Sequence, residues 1–331
     1  MITTAWQCRL VTSVAVLAGV FVSTAGIAQP WPVKPVRILV GFTPGGGVDT
    51  AARITAAALS EAWGQQVLVE NRPGAAGNIA TELTARAAPD GYTMVLCNIG
   101  SHGVTPARFG AKLTYDPIAD FSFPALLGGL TNVLMVHPSF PVKSLKEFIA
   151  YARRHPGKIS YGSSGVGASP HMSMELLRML TGINIVHVPY KGAAAALADL
   201  LSGNMEASVG NLAGGPLGAI RAGRVRALGV SSGARTAQLP DVPTFAEQGI
   251  AGFDVSGWYG LCAQARVPAT IVGRINTDVN RLLAPGQTLR QRLEEQAIDV
   301  APTTPDAFAA MVKAEIARWT KVVREAKLEG D

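Results

Sequence analysis

The feature that most constrains this chain is a repeated alternation of short apolar strands with helices, separated by glycine-rich turns. The pattern predicts strands over 36–42, 67–70 and 92–97, with helices over 49–63 and 77–88 between them. Strands and helices that alternate in this way form parallel sheets through right-handed crossovers. The sequence therefore predicts an α/β fold from its N-terminal third.

The same alternation starts again after Pro138, which predicts a second lobe of the same α/β type. A length of 331 residues supports two lobes, because a single hydrophobic core stops growing at roughly 250 to 300 residues. The second set comprises helices over 144–155, 170–180 and 193–201 and strands over 159–162, 185–189, 207–209 and 225–231.

Two extended apolar segments, 130–137 and 258–263, connect the two sets of elements without an intervening helix. A chain that leaves one lobe and returns to it through two such segments forms a hinge. We therefore expect a discontinuous first lobe of residues 29–137 plus 257–331 and a second lobe of residues 138–256.

The N-terminal segment has the layout of a secretory signal peptide. Residues 1–28 carry one charge, Arg9, followed by an apolar run over 10–22 and a small-residue stretch that ends at Ala28. We expect cleavage after Ala28 and a periplasmic protein. An uncleaved membrane anchor is the alternative, but it would need about 18 or more apolar residues without a cleavage-like end.

The cysteines constrain the redox chemistry of the chain. Cys8 precedes the apolar run, so it cannot be the lipid-modified first residue of a mature protein, and we expect a freely soluble exported protein. Cys97 and Cys262 lie in apolar, strand-like segments. Two buried thiols are the favoured interpretation, and a bridge between neighbouring strands is the alternative in an oxidising compartment. No spacing typical of a metal site occurs, so neither a metal nor another cofactor is expected.

The charge of the chain argues against nucleic acid as a partner. The formal net charge is +6, or +5 without residues 1–28, and it is spread along the sequence with no basic block. We expect a monomer that binds a small molecule.

A glycine-rich turn follows the first predicted strand and leads into the first predicted helix, which Asp49 and Thr50 can cap. Glycines let a backbone approach a ligand closely, and the first N–H groups of a helix attract anions. A flexible connecting turn is the alternative, and the spacing does not match a nucleotide-binding loop. The candidate binding residues in this turn are Phe42, Gly45, Gly46, Gly47, Val48 and Asp49.

A serine- and glycine-rich turn occupies the equivalent position in the second lobe. Its hydroxyl and N–H groups could hold a carboxylate from the opposite side of a cleft. A nucleophilic Ser164 with His171 as its base is the alternative, but Val166 stands where a hydrolase elbow needs glycine, and no spacing arranges a triad. The candidate residues in this turn are Ser163, Ser164, Gly165, Gly167 and His171.

Other polar residues lie near the carboxyl ends of predicted strands, where ligands bind in open α/β sheets. Ser101 follows the third strand, Tyr190 ends a strand of the second lobe, and Asn211 follows the strand over 207–209. Asn78 lies near a helix start. We expect these residues and the two turns to converge between the lobes.

Several motifs, in order along the chain, resemble the Bug-type periplasmic solute-binding proteins, the receptors of tripartite tricarboxylate transporters. The first matches are FTPGGGVD at 42–49, ENRPGAAGN at 70–78 and PDGYT at 89–93. The later matches are YDP at 115–117, YGSSGVG at 161–167, His171, VPYKG at 188–192 and IRAGRVRAL at 220–228. No single motif is decisive, but the ordered set covers nearly all of residues 29–331.

The resemblance implies a two-lobe Venus-flytrap fold, each lobe a mainly parallel sheet flanked by helices, with two crossover strands between them. It implies that the two turns hold a ligand carboxylate and that Asp49 orients polar groups of the ligand or water. The function it implies is capture of a small organic carboxylate for uptake or sensing, by a protein that is not an enzyme. A membrane transporter of the tripartite type is the partner it suggests.

Two positions depart from the family pattern. Ala168 stands where many relatives have a serine, and Gly210, which precedes Asn211, stands where an aspartate is common. Since each change removes a polar side chain, we expect a less polar or bulkier distal portion of the ligand. An exported serine hydrolase that uses Ser164 and His171 remains the alternative function, whereas a purely structural domain explains two facing glycine turns poorly.

Overall fold

The computed structural model describes residues 31–325. The expected signal peptide of residues 1–28, its cleavage after Ala28 and the position of Cys8 lie outside the described residues. From Pro32 onward the chain forms one unit. Ten strands and ten α-helices alternate among the described residues.

The first lobe is built from both ends of the described chain. Its N-terminal part has β1 (Val36–Val40), α1 (Gly47–Trp63), β2 (Val67–Asn71), α2 (Asn78–Ala85), β3 (Thr93–Asn98), α3 (Thr105–Phe109) and the start of β4 (Phe121–Val136).

The second lobe follows β4. It has α4 (Leu145–Arg154), β5 (Ser160–Ser163), α5 (Ser169–Thr181), β6 (Val186–Pro189), α6 (Ala193–Leu201), β7 (Ala207–Asn211), α7 (Gly215–Arg221) and β8 (Arg226–Val230). The chain then returns to the first lobe with β9 (Ser256–Gln264), α8 (Ala269–Leu282), α9 (Thr288–Glu295), β10 (Ile298–Val300) and α10 (Pro305–Glu325).

The strands pair as the strand and helix alternation predicts. In the first lobe β1 is parallel to β2 and β3, and in the second lobe β5 is parallel to β6 and β7. The strands β4 and β9 instead pair antiparallel with their neighbours. The result is a mixed sheet in the order β2-β1-β3-β9-β4-β7-β5-β6, with β8 and β10 also paired to β4.

Strand β4 runs through both lobes. Its residues 121–131 pair with β9, whereas residues 132–136 pair with β7 and β8. The second crossover is at the start of β9, where Ser256 pairs with Thr131. The lobe boundaries near 137 and 257 stay a prediction, and the change of partner within β4 lies upstream of the first of them.

The C-terminal helix packs on the first lobe. An apolar face over 304–327 predicts this helix from the sequence, and its last residues lie outside the described part of the chain. The ring of Phe308 in α10 contacts Phe123 of β4 and Trp258 of β9, with ring centroids 5.4 and 5.5 Å apart. Trp319 of the same face is buried.

Cys97 and Cys262 form a disulfide, so the favoured expectation of two free thiols is wrong. Antiparallel pairing of β3 with β9 sets Val95 opposite Cys262 and Cys97 opposite Gly260, which brings the two cysteine Cα atoms within 5.8 Å. Strands β3 and β9 become neighbours only because the chain returns from the second lobe to the first. No local sequence pattern predicts that pairing. Such a crosslink typically stabilises a fold by about 2 to 4 kcal/mol.

Candidate ligand-binding cleft

Three helices begin at one space between the lobes, which we call the inner cavity. Gly47 and Val48 at the start of α1, Pro170 at the start of α5 and Ala193 at the start of α6 all line this cavity, which leaves a free volume of about 20 Å³. The first N–H groups of a helix lack intrahelical partners and carry a partial positive charge. Both lobes therefore direct positive helix ends at the same space.

The rest of the wall of the inner cavity is uncharged. Among the described residues that line it, none is acidic or basic. The apolar part of the wall includes Phe42, Ile99, Leu130, Ala168 and Trp258, and the polar part includes Asn98, Ser164, Ser169, Asn211 and Tyr259.

Asp49 holds the glycine turn of the first lobe from behind. Its buried carboxylate accepts hydrogen bonds from the N–H of Gly45 at 3.0 Å, from Arg53 at 2.9 Å and from Asn71 at 2.8 Å. Burial by itself would raise the pKa of Asp49, but these hydrogen bonds outweigh it and hold the pKa below its usual value. Helix α1 begins at Gly47, so Asp49 is not at the N-cap position, and its carboxylate reaches back to the turn instead.

Ser163 holds the serine-glycine turn of the second lobe. Its Oγ lies 2.7 Å from Nε2 of His187 and accepts a hydrogen bond from the N–H of Gly165 at 3.2 Å. His171 stacks on His187, and its Nδ1 accepts a hydrogen bond from the N–H of Gly167 at 3.2 Å. Neutral side chains thus fix this turn.

The two histidines behind the serine-glycine turn are held in the neutral form. Burial, together with the charges of Arg108 and Arg178, lowers the pKa of His171 to about 4. Burial likewise lowers the pKa of His187 to about 3, with His171 as the second cause. A neutral imidazole can accept the hydrogen bond from Gly167, whereas a protonated one cannot.

The geometry does not assemble a hydrolase from Ser164 and His171. The Nδ1 of His171 accepts from Gly167, and its Nε2 lies 3.7 Å from Glu175. No hydrogen bond joins Ser164 to His171 among the described residues, so Ser164 lacks the adjacent base that a serine nucleophile needs.

A buried network of amides and hydroxyls forms one side of the inner cavity. The Tyr259 hydroxyl donates to the Asn211 side chain at 3.1 Å, and Asn211 donates to Asn132 at 2.6 Å. Asn132 also accepts from Ser169 at 3.0 Å and donates to Ser173 at 2.8 Å. Tyr259 belongs to the first lobe and Asn211 to the second, so this network crosses between them.

The two lobes also touch through their turns. The N–H of Thr43 donates to the carbonyl of Lys191 at 3.2 Å, and Gly46 forms an antiparallel bridge with Gly214. The cleft is therefore closed in this structure.

A second cavity, with a free volume of about 220 Å³, adjoins the inner cavity, since Phe42 and Ser164 line both. The first lobe contributes residues 74–76 to its wall, and the second lobe contributes residues 164–166 and 189–191.

The structure brings eight of the residues singled out from the sequence to the two cavities. Those on the inner cavity are Phe42, Gly46, Gly47, Val48, Ser164 and Asn211. Gly165 and Tyr190 line the second cavity, where the Tyr190 hydroxyl donates to Asp199 at 2.5 Å.

The remaining candidates lie away from both cavities. Gly45, Asp49, Ser163, Gly167 and His171 form the hydrogen bonds behind the two turns. Asn78 bonds to Tyr115 and Thr105, and Ser101 bonds to Asn98 and His102, all within the first lobe.

Residues outside the candidate binding set complete the inner cavity, although Asn98 does stand out in the sequence as a polar residue past the end of a strand. Asn98 ends β3 and Ala193 begins α6, so both lie at positions where α/β folds bind ligands, and this was the available signal. Tyr259 lies inside an apolar strand, where nothing in the sequence distinguishes a cavity residue from a core residue.

None of the helices among residues 31–325 is long and apolar enough to cross a membrane. Residues 51–328 match the family described as the tripartite tricarboxylate transporter family receptor. The chain belongs to this receptor family.

Similar proteins agree with this assignment. Protein BugT of Bordetella pertussis (strain Tohama I) is 34% identical over 319 residues, which cover 95% of this chain and 97% of BugT. The structure of the periplasmic binding protein BugD is 31% identical, covers 91% of this chain and 100% of BugD, and gives a TM-score of 0.86. The structure of R. palustris Rpa4515 with adipate is 36% identical, covers 90% and 98% of the two chains, and gives a TM-score of 0.84.

The receptor family and its structures confirm three predictions made from the sequence. The chain resembles Bug-type receptors, it has the two-lobe periplasmic-binding-protein fold, and it is a solute-binding protein and not an enzyme. The hydrolase alternative is therefore wrong.

Proposed function

We propose that this receptor captures a small organic carboxylate in the inner cavity, for uptake or sensing. The observation that carries the proposal is the convergence of the α1, α5 and α6 N-termini, from both lobes, on a cavity with no charged side chain in its wall. Helix N-termini bind anions without the strong desolvation cost of burying a basic side chain.

Two side chains add donors to the helix N-termini. Asn98 accepts hydrogen bonds from the N–H of Gly100 at 2.8 Å and of Ser101 at 3.4 Å, so its amide oxygen is occupied and its NH₂ group is the part that can donate to a ligand. Ser164 contributes a hydroxyl from the opposite lobe. A planar carboxylate can accept from both lobes at once.

Closure of the cleft follows from this arrangement. A ligand that bonds to both lobes stabilises the closed state, whereas a ligand that touches one lobe shifts no hinge equilibrium. We propose β4 and the start of β9 as the hinge, because β4 changes its pairing partner between Thr131 and Asn132.

The body of the ligand faces an apolar wall. Phe42, Ile99, Leu130 and Ala168 line the inner cavity. These residues favour a hydrocarbon chain next to the carboxylate. The relative crystallised with adipate, a carboxylate with such a chain, supports this assignment.

We propose a periplasmic location for the mature chain, with cleavage after Ala28 and a tripartite membrane transporter as the partner that receives the ligand. The family, named for such transporters, supports this proposal. A monomer with residues 29–137 and 257–331 in one lobe and 138–256 in the other stays the expected form.

The test of carboxylate capture compares each acid with its neutral amide. Titration calorimetry with hexanoate and hexanamide, and with other such pairs, should give binding of the acid and at least about tenfold weaker binding of the amide, because the amide lacks the charge that the helix ends attract. Amides that bind as tightly as the acids would contradict the proposal.

The variant Ser164→Ala removes the donor from the second lobe and should weaken acid binding by about tenfold without unfolding the protein. Ser202→Ala, an exposed serine at the end of α6, is the matched control and should bind as the wild type does. Solution scattering should give a smaller radius of gyration with the acid than without it, and an unchanged radius with bound acid would contradict the hinge.

A further inference from the structure

Three side chains with metal-binding atoms meet inside the first lobe, away from both cavities. The sulfur atoms of Cys97 and Cys262 and a ring nitrogen of His102 all lie within 4.8 Å of one another, and the three residues are buried. His102 belongs to the helical turn over Gly100–Val104 that follows β3, whereas Cys262 lies on β9, 165 residues after Cys97. No local spacing in the sequence could therefore predict this cluster.

The hydrogen bonds of His102 leave one of its ring nitrogens available. The Ser101 hydroxyl donates to the carbonyl of Asn98 at 3.3 Å, so Nδ1 of His102, which lies 2.9 Å from the Ser101 oxygen, is the donor of that second bond. The other nitrogen, Nε2, then carries a lone pair, and it is buried without a hydrogen-bond partner among residues 31–325. Buried polar atoms without a partner are rare and need an explanation. A histidine that binds a metal has this arrangement, with one nitrogen fixed by a hydrogen bond and the other on the ion.

The surroundings of His102 are apolar. Its ring packs on the rings of Phe121 and Phe123, with centroids 4.7 and 6.1 Å away. Burial alone lowers the pKa of His102 to about 3, so the imidazole is in its neutral, metal-binding form. A buried net charge is costly in such surroundings. Two thiolates and a divalent ion sum to zero, whereas two thiolates and monovalent copper leave one negative charge, so the cluster favours Zn²⁺ among the ions that bind thiolates.

We propose that the dithiol form of this protein binds one zinc ion through Cys97, Cys262 and His102. The dithiol form precedes the disulfide, because cysteines are synthesised as thiols. The carbonyl oxygen of Gly260 lies 3.2 Å from the Cys97 sulfur and is a further donor atom for the fourth position of a tetrahedral zinc site. Zinc then connects β3 to β9 before the disulfide does.

Zinc binding and disulfide formation exclude each other. Binding releases the two thiol protons to water, because the thiolate is the metal ligand. Oxidation by a second disulfide then forms the bond between Cys97 and Cys262 and returns the zinc ion to solution. The second disulfide receives the two electrons and, with two protons from water, becomes two thiols. Zinc thus keeps the two cysteines of this protein together until they are oxidised.

The experiment compares the reduced protein with the oxidised protein. Residues 29–331 are unfolded in urea with a phosphine, which with water converts the disulfide to two thiols and becomes the phosphine oxide, and are then refolded without oxygen. With Zn²⁺ present, the reduced protein should hold one ion per chain and unfold at a higher urea concentration than without it. Co²⁺ in place of Zn²⁺ should give a thiolate-to-cobalt charge-transfer band. The oxidised protein should show none of these changes.

Two variants test the histidine. His102→Phe removes the ligand but keeps an aromatic ring, and it should weaken zinc binding by the reduced protein by at least about 100-fold. Ser101→Ala removes the acceptor for Nδ1 and should weaken zinc binding by about tenfold. His155→Phe, at an exposed histidine after α4, is the matched control and should bind zinc as the wild type does. Circular dichroism of the oxidised variants, which need no metal, shows whether each one folds.

Two results would overturn the inference. One is a reduced wild type that binds zinc no more tightly than the oxidised protein does, and the other is zinc binding that neither His102→Phe nor Ser101→Ala weakens. If His102→Phe does not fold in the oxidised form, Ser101→Ala alone decides. Carboxylate binding by the oxidised protein is measured separately, so the proposed function stands or fails independently of the zinc site.

Discussion

The two turns that frame the inner cavity share a geometry but are held by different chemistry. In the first lobe an ionised carboxylate, Asp49, bonds to the turn and to Arg53. In the second lobe the neutral pair Ser163 and His187 holds the turn, with His171 beside them. In both lobes the surface offered to a ligand is mainly backbone, and the polar side chains that stand out in the sequence support that backbone from behind.

The largest effect on ligand affinity should come from a substitution that keeps the two turns apart. In Gly47→Ala the added Cβ would lie 2.9 Å from Ala213 of the other lobe and 3.1 Å from the Tyr259 hydroxyl of its own lobe, so the closed state is blocked, whereas the open first lobe needs only a small shift of Tyr259. We expect ligand affinity to fall by at least about 100-fold, with an unchanged melting temperature because alanine is favoured in a helix. Calorimetry and thermal unfolding measure the two quantities.

Gly273→Ala in α8 is the matched control for this prediction. Its Cβ would meet no atom within 4 Å and Gly273 lines neither cavity, so binding should change little. Equal binding by Gly47→Ala and the wild type would show that the turns need not meet.

The second prediction tests the charge in the first turn. Asp49→Asn keeps the shape but loses the charge-assisted hydrogen bonds from Gly45 and Arg53, which should lower the free energy of unfolding by about 2 kcal/mol. Asp306→Asn, an exposed acid in the first turn of α10, is the control and should cost less than about 0.5 kcal/mol. If urea unfolding gave the same loss of unfolding free energy for Asp49→Asn as for Asp306→Asn, the charge of Asp49 would have no special role in the first turn.

The third prediction separates the turns by pH. His171 and His187 have a lower pKa folded than their ordinary value of 6.5, so their neutral forms add stability that is complete above about pH 6.5 and lost as the pH falls toward 4. Each of the two histidines should contribute a loss of up to about 1.4 kcal/mol per pH unit within this window. The lowered pKa of Asp49 delays loss of its contribution until the pH is below about 4.

Amide chemical shifts during an acid titration follow the two turns separately. The amide of Gly167 should shift near pH 4, where His171 gains its proton, and the amide of Gly45 should shift only at a pH below the ordinary pKa of an aspartate. Burial also lowers the pKa of His102 in the first lobe, to about 3, so the total stability slope includes it, and replacing His171 and His187 together isolates the second turn. If the amides of both turns shifted at the same pH, the two turns would not be held by groups of different pKa, and the prediction would be wrong.

The smallest effect should come from the neutral anchor. Ser163→Ala removes hydrogen bonds to His187 and Gly165, and because His187 is only half-buried, water can replace part of them. We expect a loss of about 0.5 to 1 kcal/mol in unfolding free energy, measured beside Asp49→Asn. A loss as large as that of Asp49→Asn would show that the two anchors are equivalent.

Local sequence patterns predicted the elements that carry the cleft. The alternation of strands and helices gave the parallel pairs, and the glycine turns marked where α1 and α5 begin. The same patterns could not assign side-chain direction within a turn. Ser163 and Ser164 are neighbours in the same motif, yet one bonds to His187 and the other lines both cavities.

Contacts made by β9, the strand with which the chain returns to the first lobe, were not predicted from the sequence. Tyr259 joins Asn211 across the cleft, and Cys262 bonds to Cys97, because β9 inserts between β3 and β4 after the second lobe is complete. An apolar strand pattern predicts that a strand is buried, but it does not predict which strand pairs with it.

The sequence by itself determined the α/β class, the two lobes and the two backbone turns, because hydrophobic period and turn chemistry act over a few residues. Only the tertiary structure decided which polar groups line the two cavities, that Asp49 and His171 bond to the turns without lining either cavity, and that Lys191 lies at the edge of a second cavity. The reason is that each of these positions is set by packing between segments far apart in the chain, and such packing has no local signature.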